Sequence, residues 1–465
     1  MGKYKTLASN TLILGLGQFA SKLLVYVMMR FYTGMLGTDG YGAVGNIVDV
    51  SVLLMNLVTV GIGESVIRFG LDGKYDKKQV FSVGLTVTLI GLVLFIPLVP
   101  VVGLVDFLSE YSVLIYIYVF SGSVKSCCGL FVRSSGKVTL YAVDGILTTV
   151  FNIIFNLIFL LGFNMGVAGY VLSVVLADCC SVIFLVIKGR LGNYFVISGI
   201  DKKLRRAMLR FSLPLVPTAI MWWVTNVSDS FLITAMLGVS ENGVYKAAYK
   251  LPNVIALVSG IFSQAWNMSA VKEKNSRGIA RFYTNVFNIL QSVVYICAGG
   301  MLLFIKPALM IMTSGDGFGT AYKYSPLLVL AVVFTCFSTF VGSVYLAAKN
   351  SVGSLLTSSA GAIVNVVLNI ILIPVWGLNG AAFATFISYV LIFAIRTAHT
   401  RGTVRLDIMP VKMCANMIVL SAMGLAVMRM IPGVYFYAVL SVLFVLILAM
   451  NLPILIYVMK KRGAA

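Results

Sequence analysis

The sequence predicts an all-α polytopic membrane protein with fourteen transmembrane helices, organised as two parallel six-helix lobes followed by two C-terminal helices. Three observations carry that expectation. First, 60% of the 465 residues are hydrophobic and only 11% are charged, whereas soluble domains carry roughly 25% charged residues. A large core does not explain the deficit, because a core still needs a wet surface, so lipid is the solvent for most of the chain. Second, apolar stretches of about 18 residues or more, long enough to cross hydrocarbon as helices, recur along the whole sequence. Third, two passages about 213 residues apart repeat one pattern: "NIIFNLIFLLGFNMGVAG" from Asn152 and "NVVLNIILIPVWGLNG" from Asn365.

In chain order the expected spans centre near residues 22, 55, 92, 122, 150, 178, 224, 257, 294, 335, 365, 388, 420 and 446. The first begins close to Met1 and continues past Phe31. It is too long for a signal-peptide core and no cleavage pattern follows it, so it is an uncleaved span. The seventh opens after Pro214 and Pro217, and the eighth holds Pro252, which kinks a helix interior. The stretch "IDKKLRRAMLR" (Ile200 to Arg210) lies in the longest polar connection, between spans six and seven. It has the pattern of a basic amphipathic segment on an anionic inner leaflet. These marks place an N-lobe at 1–200, a C-lobe at 201–408 and two further spans at 409–465.

The 35 Lys and Arg sort by side. The chain ends and the even-to-odd connections carry 27, the opposite side carries Arg30, Lys246, Lys250, Lys306, Lys323 and Arg429, and Lys22 and Lys125 lie inside spans. The positive-inside rule then puts both termini in the cytoplasm. Consistent alternation across fourteen spans is an internal check, because one missed helix would invert every later loop. The net charge of +20 therefore reports topology, and no nucleic-acid partner is expected.

The repeat has a second echo. Span one leads out through "MLGTDGYG" (Met35 to Gly42) and span seven through "MLGVSENGVY" (Met236 to Tyr245), about 201 residues later. Spans one to six and seven to twelve thus read as two copies of a six-helix unit. Six is even, so both copies enter from the same side, with a pseudo-two-fold axis along the membrane normal. Two such lobes are expected to enclose a central cleft that rocking opens to one side at a time. The Asn pairs, Asn152 with Asn156 and Asn365 with Asn369, lie on one helical face at i, i+4 and are expected to join helices by hydrogen bonds worth about 1 kcal/mol each.

Charge within the bilayer costs at least roughly 2.5–3.5 kcal/mol per group, and the exceptions cluster. Span one carries Gln18, Lys22, Tyr26 and Arg30 at steps of four. Span two carries Asp49, Asn56 and Gly63 at steps of seven, again one face. Span seven has Thr225, Ser228 and Asp229, and span eight has Lys246, Lys250, Asn253, Gly260 and Gln264, all within about 80° of the helix circumference. Spans one and two correspond to seven and eight in the repeat, so polar faces sit on matching helices. Lys22, Arg30, Lys246 and Lys250, with Lys125 of span four, outnumber Asp49 and Asp229. The cleft is expected to attract anions, with Asp49, Asp229 and Asp178 of span six as counter-ions or as sites for a coupling H+ or Na+. Glu64 and Arg68 read as a surface pair. The seven Cys lie in spans or at their edges, with vicinal Cys127 and Cys128 as small apolar fillers. The only His, His399, falls in a polar loop without companion ligands. No metal cluster, cofactor motif, nucleophile–base pair or Gly-rich phosphate loop is written in the sequence, so a transporter is expected and not an enzyme.

The six-plus-six-plus-two plan, the N-terminal "SNTLILGLGQFASKLLVYVMMRFYTGMLGTDGYGAVGNI" and the "NVVLNIILIPVWGLNGAA" passage resemble the polysaccharide flippases of the multidrug/oligosaccharidyl-lipid/polysaccharide (MOP) exporter superfamily. The resemblance covers nearly the whole chain. It implies a bacterial plasma-membrane protein that turns an undecaprenyl-diphosphate-linked oligosaccharide from the inner to the outer leaflet. The expected partners are that lipid-linked glycan, membrane lipids, and a polysaccharide polymerase or chain-length machinery. It also implies phosphate-binding roles for Lys22, Arg30, Lys246, Lys250 and Lys125. Tyr26, Trp222 and Trp223 are candidates for holding sugars. Two rivals stay open. A cation-coupled multidrug exporter of the same superfamily favours a carboxylate-rich cleft, and a membrane-embedded polymerase or glycosyltransferase usually carries a long catalytic outer loop.

Overall fold

The computed structural model describes the backbone of residues 2–72, 74–196, 199–272, 278–315, 317–348, 350–429 and 433–463. Side chains are described from Tyr26 to Ile456 within those ranges, except at 218, 222, 261, 264–265, 267–272, 346 and 351. The chain is all-helical, as expected. In order run α1 (Gly2–Val58), α2 (Ile62–Leu71), α3 (Lys77–Phe95), the short α4 (Val99–Val102) and α5 (Asp106–Ser109), α6 (Ser112–Ser134), α7 (Val138–Asn156), α8 (Gly166–Gly189), α9 (Lys202–Ser212), α10 (Leu215–Leu237), α11 (Val239–Lys272), α12 (Ile279–Met312), α13 (Ser325–Ala348), α14 (Ser351–Trp376), α15 (Leu378–Thr400), α16 (Pro410–Arg429) and α17 (Val434–Gly463).

Each of the fourteen expected span centres falls inside one of these helices, the first two both within α1. By length and hydropathy, eleven helices among the described residues are fit to cross a membrane, or twelve if a bent pair over Lys202–Leu237 is one span. The protein is therefore a multi-pass membrane protein. The difference from fourteen lies at the chain start and at α11. Side chains before Tyr26 are outside the described residues, and α11 carries Glu241, Lys246 and Lys250 in its first half.

The chain divides into two compact units, Met1–Trp223 and Val224–Ala465. In the first, α1 packs on α6, α7 and α8, and α2 on α3, α6 and α9. Its buried cluster joins Ile62 and Val66 of α2, Val80 and Phe81 of α3, Phe131 of α6 and Leu185 of α8 to Leu204 and Met208 of α9. The basic stretch is indeed helical, capped by Asp201, whose carboxylate accepts the Lys203 amide at 2.8 Å. Its apolar face is not free for lipid, however. Met208 is fully buried and its carbonyl accepts the Ser65 hydroxyl at 2.6 Å, so this helix is bolted to its own unit, and the Lys and Arg face outward together with Phe211.

In the second unit α11 packs on α12 and α13, α13 on α15, and α14 on α15, repeating the pairings α2 on α3 and α6, α6 on α8, and α7 on α8. The last helices, α16 and α17, lie against α12. The core is aromatic: Trp266 stacks on Phe340 and meets Tyr283 edge-on, while Phe287, Phe337 and Phe393 interlock.

The repeat is written into the backbone. Gly37 (φ 63°) parts the two spans inside α1, and Gly238 (φ 111°) parts α10 from α11. Gly166 (φ 54°) and Gly377 (φ 56°) make the turns after the Asn-bearing helices. A positive φ is open to glycine at little cost and expensive for other residues. Three residues on, a Cβ on Gly169 would lie 2.8 Å from Met165 Cβ, and one on Gly380 would lie 2.2 Å from the Leu372 carbonyl oxygen. One length difference is absorbed locally: ten residues separate Asn156 from Gly166 and eight separate Asn369 from Gly377. The longer copy ends in a π-helical segment, Leu157–Gly162.

Candidate functional site

In the first unit the basic stripe of α1 is only partly described. Lys22 lies on α1 with its side chain outside the described residues, as does that of Trp222. Arg30 is exposed, and Tyr26 is half-buried. Asp49 is half-buried, and its backbone carbonyl accepts the Trp223 indole N–H at 2.7 Å, so that indole is already engaged with protein.

Lys125 does not stand alone. Its Nζ lies 2.7 Å from Oδ1 of Asp178, joining α6 to α8, with the Asp178 side chain only 7% exposed and that of Lys125 27%. Beside them, Asp144 of α7 is buried and accepts the Ser181 hydroxyl at 2.6 Å. Three spanning helices thus hold two carboxylates around one ammonium. Asp144 is a functional candidate that the sequence reading missed. The signal was present, since Asp144 stands in an apolar run as Asp178 does, but it belongs to no stripe.

In the second unit Asp229 of α10 is a densely bonded carboxylate. Its oxygens accept Asn369 Nδ2 of α14 at 2.6 Å, the Tyr245 hydroxyl of α11 at 3.0 Å and the Thr385 hydroxyl of α15. Asn369 Nδ2 also reaches Asn365 Oδ1 at 3.1 Å, which accepts Ser228 Oγ at 2.8 Å. The Asn pair therefore joins α14 to α10 as the periodicity predicts. In the first unit Asn156 Nδ2 bonds Asn152 Oδ1 at 2.9 Å, and the Tyr32 hydroxyl of α1 meets that same oxygen at 3.5 Å. Two oxygens of these pairs are left over: Asn156 Oδ1 and Asn369 Oδ1 are each buried without a hydrogen-bond partner. Lys246 and Lys250 of α11 are half-buried on the helix that also brings Tyr245 to Asp229.

Two further groups differ from the sequence reading. His399 lies in the last turn of α15, not in a loop, with Nδ1 2.9 Å from the Tyr345 hydroxyl. Glu64 and Arg68 form no ion pair; Glu64 lines a cavity instead. Arg396 of α15 was counted only as an orientation charge. It donates to Ser338 O at 2.8 Å, Ser358 Oγ at 2.8 Å and Thr357 Oγ1 at 3.2 Å, pinning α13, α14 and α15 together through neutral acceptors. Cys127 and Cys128 are buried fillers, and no group of three metal-ligating side chains occurs among the described residues.

A family described as "Polysaccharide biosynthesis protein" matches residues 7–266, more than half of the chain. The chain belongs to that family. A curated relative, the uncharacterised membrane protein YabM of Bacillus subtilis (strain 168), is 22% identical over 218 residues. That match spans 44% of this chain and only 40% of YabM. Among solved structures, the lipid II flippase MurJ in an inward closed conformation is similar at TM-score 0.74 and 12% identity, over 97% of this chain and 100% of MurJ. The multidrug transporter DinF-BH, of the MATE class, is similar at TM-score 0.61 and 20% identity, over 86% of this chain and 95% of its own. At such identities these likenesses show the fold, which is that of the MOP transporters. The N-terminal stretch that carries the resemblance lies within the matched residues, and the family part of that resemblance is borne out.

Proposed function

We propose that this family member is a flippase that carries an undecaprenyl-diphosphate-linked oligosaccharide from the inner to the outer leaflet of a bacterial plasma membrane, by alternating access, for surface polysaccharide synthesis. The observation that carries the reading is the family match across residues 7–266. The likeness to MurJ over 97% of the chain supports it, since α16 and α17 fall within that extent. Under this reading the chain crosses the membrane fourteen times as two six-helix lobes plus two helices, with both ends cytoplasmic.

The chemistry follows from the cargo. Carrying a diphosphate and its sugars through hydrocarbon would strip their hydration, at tens of kcal/mol for bare charge. Ammonium and guanidinium groups replace that water with charge-assisted hydrogen bonds. Lys22 and Arg30 of the first half, and Lys246 and Lys250 of the second, are assigned to the diphosphate. Lys125 joins them when released from Asp178. The lipid tail stays in the bilayer throughout.

Energy is assigned to an H+ or Na+ gradient acting at Asp229 or Asp178, with Asp49 as a counter-ion. Asp229 supports the assignment by its setting, a buried carboxylate next to the unpartnered acceptor Asn369 Oδ1. A polymerase or chain-length protein would take the product. The MATE-type fold of DinF-BH keeps drug export as the second reading. Reconstitution in liposomes decides between them. Transfer of a lipid-diphosphate sugar to the far leaflet supports the flippase; transport of organic cations without it supports the exporter.

A further inference from the structure

The second spanning segment of the first unit breaks in an unusual way. Helix α1 ends at Val58 and α2 begins at Ile62, and between them Val60 and Gly61 both take left-handed conformations, φ 54° and 62°. For a β-branched residue such as Val60 this conformation is strained and persists only where the surroundings impose it. Its neighbours leave no slack on the packed side. A Cβ on Gly91 would lie 1.9 Å from the Val58 carbonyl oxygen, and one on Gly63 would lie 2.7 Å from Leu130. Against this tight backing the break opens a cavity of about 190 Å³, walled by α1, α2, α3 and α6.

The lining mixes apolar side chains (Val52, Met55, Ile62 and Leu130) with oxygen-bearing ones, as sites for the two faces of a sugar ring do. Asn56, Thr59, Glu64, Thr88, Ser123 and Ser126 contribute oxygens, and no Lys or Arg is among the lining residues. Several donors are already spent on the backbone: Asn56 Nδ2 on Val52 O, Thr59 on Met55 O and Thr88 on Gly84 O. Their oxygens remain as acceptors. An acceptor-rich space without a cation repels phosphate and receives hydroxyl donors. A space of about 190 Å³ holds several waters rather than one. A bare alkali ion would leave most of it empty.

We propose that this cavity is a sugar subsite, holding one pyranose of the glycan through Asn56, Ser126 and Glu64 while the diphosphate is bound by the basic groups elsewhere. The assignment rests on the flippase reading and names the part of the cargo that the first unit recognises. The test uses the full chain in liposomes with two probes, undecaprenyl diphosphate bearing a hexose and bare undecaprenyl diphosphate. Ser126→Leu, which fills the cavity from its exposed side, and Glu64→Gln are expected to slow the glycosylated probe about fivefold or more relative to the bare one. In parallel, maleimide labelling of the Ser126→Cys thiol, measured above the labelling of the parent chain, is expected to be blocked by the glycosylated probe and not by the bare one. Equal slowing of both probes, or equal protection, overturns the subsite and leaves a structural water cavity. A Na+ dependence removed by Glu64→Gln with the sugar preference intact also overturns it, in favour of a cation site. Transfer of neither probe by the wild type sinks the flippase reading itself, which is a separate outcome.

Discussion

Removing the carboxylate of Asp229 strands three donors at once, those of Asn369, Tyr245 and Thr385. Breaking a buried polar arrangement from one side costs about 3 kcal/mol. Asp229→Ala is therefore expected to lower the thermal unfolding midpoint of the detergent-solubilised protein well beyond the effect of an exposed change such as Lys203→Ala, and equal midpoints would contradict the network's role. Lys125 and Asp178 admit a finer check. With the pair at 2.7 Å in a spanning bundle, Asp178→Leu leaves an ammonium without its partner. The double variant Lys125→Met with Asp178→Leu removes both charges. It is expected to be more stable than Asp178→Leu alone, with a coupling of about 1–3 kcal/mol in a double-mutant cycle; strict additivity would show that the two groups do not interact. The stripe logic found Asp229, and Asp178 stood out as a lone charge in an apolar span, but Asp144 and Arg396 were passed over. The periodicity of one helix reveals what shares its own face, whereas Asp144 and Arg396 acquire meaning only from Ser181, Ser338 and Ser358 on neighbouring helices.

At the scale of elements the repeat predicts where glycine is required. A Cβ at Gly380 would meet a backbone oxygen at 2.2 Å, and at Gly169 a side-chain carbon at 2.8 Å. Neighbouring backbone has little room to yield, so Gly380→Ala should reduce the folded yield more than Gly169→Ala, and Gly145→Ala, where open space surrounds the Cβ, should change it least. Fluorescence-detected size exclusion of the three variants checks that order. Much of this level was legible. All fourteen span centres fall in helices, and the echoes at Gly37 and Gly238 and at Gly166 and Gly377 become left-handed turns. The π-helical end at Leu157–Gly162 was legible only as a mismatch of two residues between the copies. The break at Val60 and Gly61 was not legible, because "TVGIGES" carries no Pro and the strain comes from packing against Gly91 and Leu130. The basic helix α9 shows the same limit. Its pattern marked an amphipathic helix, but whether lipid or protein takes the apolar face depends on Ser65 and the cluster around Ile62 and Val66.

For the whole molecule, the family match establishes a membrane protein of the polysaccharide biosynthesis family with the fold of the MOP transporters, and the proposed cargo rests on that match. The hydrophobic content that bounds the class was visible from composition alone; no residue pattern names the glycan. If a cation gradient drives turnover through Asp229, an imposed pH or Na+ gradient should accelerate transfer in wild-type liposomes and lose its effect in Asp229→Asn, with downhill exchange retained. The most direct test of the central claim is leaflet transfer itself. Purified protein in liposomes with undecaprenyl-diphosphate oligosaccharide in one leaflet should bring it to the other, and Lys250→Ala and Lys22→Ala should each slow that transfer about tenfold or more, the loss of one charge-assisted hydrogen bond. Transfer at the wild-type rate in both variants would contradict the account.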